Sequence, residues 1–81
     1  MSLNVQVEYF ALFREQAGCE RESVKTTAAT PGQLYAELAE RHGLTLEPQR
    51  LKVAVNDQFV GWEAGLEDGD RIVFIPPVAG G

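Results

Sequence analysis

The sequence predicts an α+β roll in which a mixed sheet of four or five strands covers one main helix. Three observations carry this. Leu3, Val5, Val7 and Tyr9 alternate with Asn4, Gln6 and Glu8, the period of a half-buried strand. Residues 31–42 form a helical pattern with a single apolar stripe, so that helix needs one sheet to lie on. The later apolar runs, at 51–55, 59–60 and 71–75, are short and separated by turn residues. At 81 residues the chain has room for one core and no second domain.

After Tyr9 the alternation breaks at Phe10-Ala11-Leu12-Phe13, and Arg14-Glu15-Gln16-Ala17 runs into Gly18. This predicts a loop with one helical turn, closed by the glycine. Residues 20–26 hold one strong apolar residue, Val24, among Arg21, Glu22 and Lys25. They read as an edge strand whose charges deter stray pairing. Thr30-Pro31-Gly32-Gln33 opens the main helix. Thr30 is the N-cap, Pro31 takes the first position, and Gln33 stands where a capping box reaches back. Leu34, Tyr35, Leu38 and Ala39 share a face opposite Glu37, Glu40 and Arg41, and Gly43 suits the left-handed conformation that ends a helix after His42. Leu51, Val53 and Val55 form the next strand, Asn56-Asp57 is turn chemistry, and Phe59-Val60 begins the return strand of a hairpin. Glu67-Asp68-Gly69-Asp70 is a second turn, feeding the last strand, Arg71 to Ile75. Strand, strand, helix and three strands in this order resemble the ubiquitin-like β-grasp roll, with residues 1–75 as the domain and 76–81 as a flexible, extended tail.

Composition narrows the function. Twelve acidic residues against seven basic ones give a net charge of -5. Phosphate binding needs a concentrated Lys/Arg patch, so nucleic acid is disfavoured, and a partner with a basic face is expected. A single cysteine, Cys19, excludes an intramolecular disulfide, a Cys-rich zinc site and a four-thiolate cluster. It fits a reducing, cytoplasmic compartment. No run approaches the ~20 apolar residues of a membrane span. Met1-Ser2-Leu3-Asn4 lacks a basic stretch followed by an apolar core, so no secretory leader is expected.

The last strand and its continuation hold the strongest functional signal. Ile72 and Phe74 point to one face, Val73 and Ile75 to the other, and only one face covers the helix. Apolar surface is therefore left facing outward, either to dock a partner or to be covered by residues 58–63 folding back. Phe59 and Trp62 either rim that surface or cap the sheet. Pro76-Pro77 has no N–H donors and ends sheet pairing, and Val78-Ala79-Gly80-Gly81 follows. By composition alone this tail is either a frayed terminus, the usual case, or a thread for a narrow pocket whose walls approach a backbone without Cβ atoms. In the second reading the reactive group is the α-carboxylate of Gly81. With a pKa near ~3.3–3.7 it is ionised and a poor electrophile, so chemistry there needs prior activation.

The segment Leu66-Glu67-Asp68-Gly69-Asp70-Arg71-Ile72-Val73-Phe74-Ile75-Pro76-Pro77-Val78-Ala79-Gly80-Gly81 closely resembles the C-terminus of the MoaD-type sulfur carriers, the small subunits of molybdopterin synthase. Val53-Ala54-Val55-Asn56 and the opening strand running into Phe10-Ala11-Leu12-Phe13-Arg14 are similar to that family too. The resemblance implies that an ATP-dependent enzyme related to the ubiquitin-activating enzymes adenylates Gly81. A sulfurtransferase step then makes the thiocarboxylate. The tail, Pro76, Pro77, Val78 and Ala79 with Gly80 as the steric partner of Gly81, inserts into the synthase large subunit, expected as two copies of each chain. There it gives sulfur to cyclic pyranopterin monophosphate. Ile75, Val73 and Phe59 are the expected docking residues. No bound cofactor or metal is expected, and the catalytic pocket is expected in the large subunit. A thiamine or transfer-RNA thiolation route, a ubiquitin-like modifier, and a plain interaction module are the alternatives.

Four other features are set aside. His42 reads as a surface residue near a helix C-terminus, where positive charge is favoured. Cys19 has no second thiol and no basic pair beside it, so it reads as an ordinary small residue rather than a persulfide relay. Glu67, Asp68 and Asp70 lie at a tight turn, where Asp serves local hydrogen bonding rather than a cation. Arg71 is expected to face solvent.

Overall fold

A computed structural model describes residues 2–10 and 12–76. Among them are five strands: β1 (Leu3–Tyr9), β2 (Arg21–Thr26), β3 (Lys52–Val55), β4 (Gln58–Val60) and β5 (Arg71–Ile75). The helices are α1 (Leu12–Ala17) and α2 (Pro31–His42), with a 3₁₀ turn at Pro48–Arg50. The strands form one mixed sheet in the order β2-β1-β5-β3-β4. β5 runs parallel to β1 and antiparallel to β3, and so occupies the middle of the sheet. Of the predicted tail 76–81, all but Pro76 lies outside the described residues.

The predicted caps form. Thr30 is extended and its hydroxyl accepts from the Gln33 backbone N–H at 3.2 Å, with Pro31 in the first turn. The Gln33 side chain reaches one residue further than a capping box would, accepting from the Ala29 N–H at 2.8 Å. Gly43 ends the helix at φ 71°, a left-handed conformation open to glycine at no steric cost. Gly18 likewise takes φ 78°, but the segment before it is a six-residue helix rather than a single turn in a loop. Asn56 and Asp57 both have positive φ, which makes the β3–β4 connection a two-residue turn whose twist matches the flanking strands.

Core and sheet meet as the period-two pattern requires. Val5, Val7 and Tyr9 of β1, Val24 of β2, Val53 of β3, and Ile72 and Phe74 of β5 face Leu34, Tyr35 and Leu38 of α2. Around Phe74 the aromatic rings lock together. Trp62 stacks on it at 6.0 Å, and Tyr35 meets it edge-on at 5.2 Å. The Tyr35 hydroxyl donates to the Leu46 carbonyl at 2.7 Å, so burying this ring leaves no unpaired phenol. The segment after β4 is drawn to the helix side. Gly32 donates its N–H to the Trp62 carbonyl at 3.0 Å, and a Cβ at Gly32 would lie 3.2 Å from that oxygen.

His42 departs from expectation. It is not a surface residue: its side chain is 17% exposed, and its Nε2 lies 3.0 Å from a Glu22 carboxylate oxygen on β2. Glu22 points to the helix side because its neighbours Arg21 and Ser23 take the outward positions. Arg41 joins the pair, 3.7 Å from Glu22 and 3.2 Å from Glu37, and the Thr26 hydroxyl donates to Glu37 at 2.7 Å. Polar contacts thus tie the end of α2 to the edge strand.

Candidate functional site

The candidate site is the outward side of the sheet, at the end of β5 from which the chain continues into Pro76. Its base is fixed at the opposite end of that strand. Asp70, 8% exposed, accepts from the Glu67 N–H at 2.8 Å and from the Asn56 side-chain amide at 2.9 Å. Asn56 in turn accepts from the Arg71 N–H through its side chain at 3.0 Å and donates its own N–H to the Arg71 carbonyl at 2.8 Å. Gln6 donates its N–H to the Asp70 carbonyl, and Gly69 donates to Asn4, which ties the turn to β1. The Asp68 carboxylate accepts from the Asn4 N–H at 2.7 Å. Asp70 thus makes the local bond expected of a turn aspartate, to Glu67, while its second bond to Asn56 and the bond of Asp68 to Asn4 reach across to other strands and tie the entry of β5 into the sheet.

With β5 fixed, Val73 and Ile75 project away from the helix, as predicted. Val73 lies between Glu8 of β1 and Ala54 of β3, and Ala54 lies opposite Phe59 of β4. Phe10, just beyond β1, continues the outward row and completes a groove of about 250 Å³ along Val73 and Ile75. Phe59 is 70% exposed and Phe10 42% exposed, the two large apolar side chains most open to solvent among the described residues. Val73 is only 7% exposed, so it forms the floor of the groove while Phe59, Phe10 and Ile75 form its accessible walls. Residues 58–63 do not fold back over this face. β4 extends the sheet edgewise, and Trp62 turns to the core side. Phe59 therefore belongs to the outward face and Trp62 to the cap over the core.

The sequence reading did not single out Phe10 for this face. The signal was present: Gln6, Glu8 and Phe10 continue the outward period of β1 into the segment read as a loop. Lys52, whose Nζ lies 5.8 Å from the Phe59 ring centroid, was also not singled out. Arg71 faces outward as expected, and its guanidinium pairs with Asp57. Pro76 follows β5 directly; Pro77, Val78, Ala79, Gly80 and Gly81 lie outside the described residues.

Other reactive groups lie elsewhere. The Cys19 thiol is pushed up from its ordinary pKa by burial and by the Glu22 carboxylate, to which it donates at 3.5 Å. A thiol held protonated is a weak nucleophile, which leaves Cys19 in the structural role predicted for it. Tyr9 is pushed up by burial and then by Glu22 and Cys19, and its hydroxyl has no hydrogen-bond partner among the described residues. Among the described residues no three His, Cys, Asp or Glu side chains are placed to hold a metal ion, and no helix is long and apolar enough to cross a membrane.

A mixed five-stranded sheet lying on one main helix, with the last strand central and parallel to the first, places the chain in the ubiquitin-like β-grasp class. The chain belongs to the ThiS family, whose pattern it matches over residues 7–81. It is similar to the molybdopterin synthase sulfur carrier subunit of Escherichia coli (strain K12), 36% identical over 80 residues that cover 95% of this chain and 99% of the relative. Among solved structures, it resembles a chain in the complex of subunits 1 and 2 of the molybdopterin-converting factor from Helicobacter pylori 26695, with a TM-score of 0.64, 32% identity and all of both chains covered. A ubiquitin from Caldiarchaeum subterraneum shares the fold at a TM-score of 0.65 and 15% identity, over all of both chains.

Proposed function

We propose that this chain is the sulfur carrier subunit of a molybdopterin synthase. The observation that carries the reading is near full-length similarity to such subunits in a chain whose uncovered sheet face adjoins the strand leading to Pro-Pro-Val-Ala-Gly-Gly. An ATP-dependent activating enzyme adenylates the Gly81 carboxylate, replacing a charged oxygen by a good leaving group. A sulfurtransferase supplies sulfur that displaces AMP and leaves a thiocarboxylate, a better nucleophile than the carboxylate. The body docks on the synthase large subunit through Phe59, Val73 and Ile75. Pro76, Pro77, Val78 and Ala79 then enter that subunit's pocket, with Gly80 admitting close walls beside the reacting Gly81. The large subunit holds cyclic pyranopterin monophosphate and the acid–base groups, and this chain holds no cofactor of its own.

Intact mass tests the chemistry. Co-expression with an activating enzyme and a sulfur source should exchange one oxygen for one sulfur, and an unchanged mass would favour a plain interaction module. Deleting Gly81 should abolish sulfur transfer while leaving the melting temperature and large-subunit binding nearly unchanged. A bulky residue at Gly80 should block transfer by clashing with the pocket. Sulfur loading without pterin dithiolation would send the sulfur to another acceptor, as in thiamine synthesis or transfer-RNA thiolation. Linkage of Gly81 to lysine would make the chain a protein modifier.

A further inference from the structure

The outward groove holds one charge that no ion pair among the described residues neutralises. Of the outward positions of β1, Asn4 and Gln6 are exposed, whereas Glu8 is half-buried beside Val73 and lines the groove with Phe10 and Ile75. The groove's other carboxylate, Asp57, is largely open to solvent and paired with Arg71. None of the ion pairs among the described residues includes Glu8. Arg21 stands opposite Glu8 in the β1–β2 register, but it is exposed and lies outside the groove's lining. Lys52 is two strands away, over Phe59.

Docking changes what such a charge costs. While the face is open, water solvates the Glu8 carboxylate. An apolar surface seated over Val73 and Ile75 removes that water, and a carboxylate left without a counter-charge then opposes binding. Asp57 brings its own cation to the contact, and Glu8 does not. The same groove offers two aromatic walls, Phe10 and Phe59. An arginine meets both demands. Its planar guanidinium pairs with a carboxylate through two N–H donors and lies flat against aromatic rings, and an ammonium does neither as well.

We infer that the protein surface seated on this groove inserts an arginine among its apolar contacts, that this arginine pairs with Glu8, and that Glu8 thereby selects the partner. This rests on the sulfur-carrier reading and names the chemistry that the large subunit brings to the docking step. It also narrows the expectation, drawn from net charge, of a partner with a basic face to a single contact.

The test is the dissociation constant of the full chain with the molybdopterin synthase large subunit of the same organism, measured by calorimetric titration. Glu8→Gln keeps the shape of the side chain and removes its charge. It should weaken binding at least about tenfold while leaving the melting temperature unchanged. Arg21→Gln, outside the groove, should change binding less than about twofold. Should the amide at position 8 disturb folding, Glu8→Thr, with its strand-favouring side chain, should weaken binding in the same way. Variants at Glu8 that bind as tightly as the unaltered chain, or more tightly, would overturn this inference alone, because removing an unmet charge from a docked surface favours docking. Equal losses from Arg21→Gln and Glu8→Gln would put the counter-charge within the chain and overturn it as well. No binding by the unaltered chain would defeat the proposed function and this inference together.

Discussion

The two sides of β5 are built from the same kinds of residue and serve opposite ends. Ile72 and Phe74 are fully buried among Tyr35, Trp62 and the rest of the core. Val73 and Ile75, one step out of phase, line a groove that no layer covers among the described residues. The inner side has its partners within the chain and stabilises the fold. The outer side has an apolar floor with partly open walls, which gains from contact only when another surface arrives. Hydrophobicity along a strand therefore does not distinguish stability from recognition; what faces each side does.

Substitutions should separate the two sides. The largest effect is expected from Phe74→Ala, which should cost about 3–5 kcal/mol of unfolding free energy in denaturant titration, a large fraction of the stability of a domain this small. A loss below about 1 kcal/mol would mean the inner side is not the main source of stability. Next, Asp70→Ala should cost about 1–3 kcal/mol, because it leaves the Glu67 N–H and the Asn56 amide without their acceptor. Hydrogen exchange at Arg71 and Ile72 should rise in that variant, since the entry of β5 into the sheet is loosened. Phe59→Ala should leave stability within about 0.5 kcal/mol but weaken large-subunit binding by about 1–2 kcal/mol, roughly tenfold. A stability loss equal to that of Phe74→Ala would erase the distinction between the sides.

The smallest effect concerns Tyr9, an inner-side residue whose hydroxyl has no partner among the described residues. Its folded pKa is raised, so the stability it contributes is complete below the unfolded value of about 10 and is lost as pH rises from there toward the folded value. Tyr9→Phe should be at least as stable as the unaltered chain near neutral pH. Melting temperatures measured from about pH 9 to about pH 11 should fall less for the variant. An equal fall in both proteins would mean that the burial of this phenol does not govern the alkaline limb.

Local chemistry was the most legible part of the sequence. Thr30, Pro31 and Gly43 mark the ends of α2 because capping depends on neighbours a few residues away, and Asn56-Asp57 marks its turn for the same reason. The two-sided character of β5 was legible from alternation alone. His42 was misjudged because its partner, Glu22, is twenty residues away and meets it only when β2 and α2 are brought together. The groove likewise depends on pairings that no local pattern specifies, Ala54 opposite Phe59 on one side and Val73 on the other.

The parallel pairing of β1 with β5 has a consequence for how the molecule is made. The first strand to leave the ribosome waits for the last, because β1 and the β3–β4 hairpin share no neighbour until β5 arrives between them. A nascent or prematurely ended chain has two separate half-sheets, with exposed edges and no shared groove. A chain that stops short of β5 lacks Val73 and Ile75, and with them the groove.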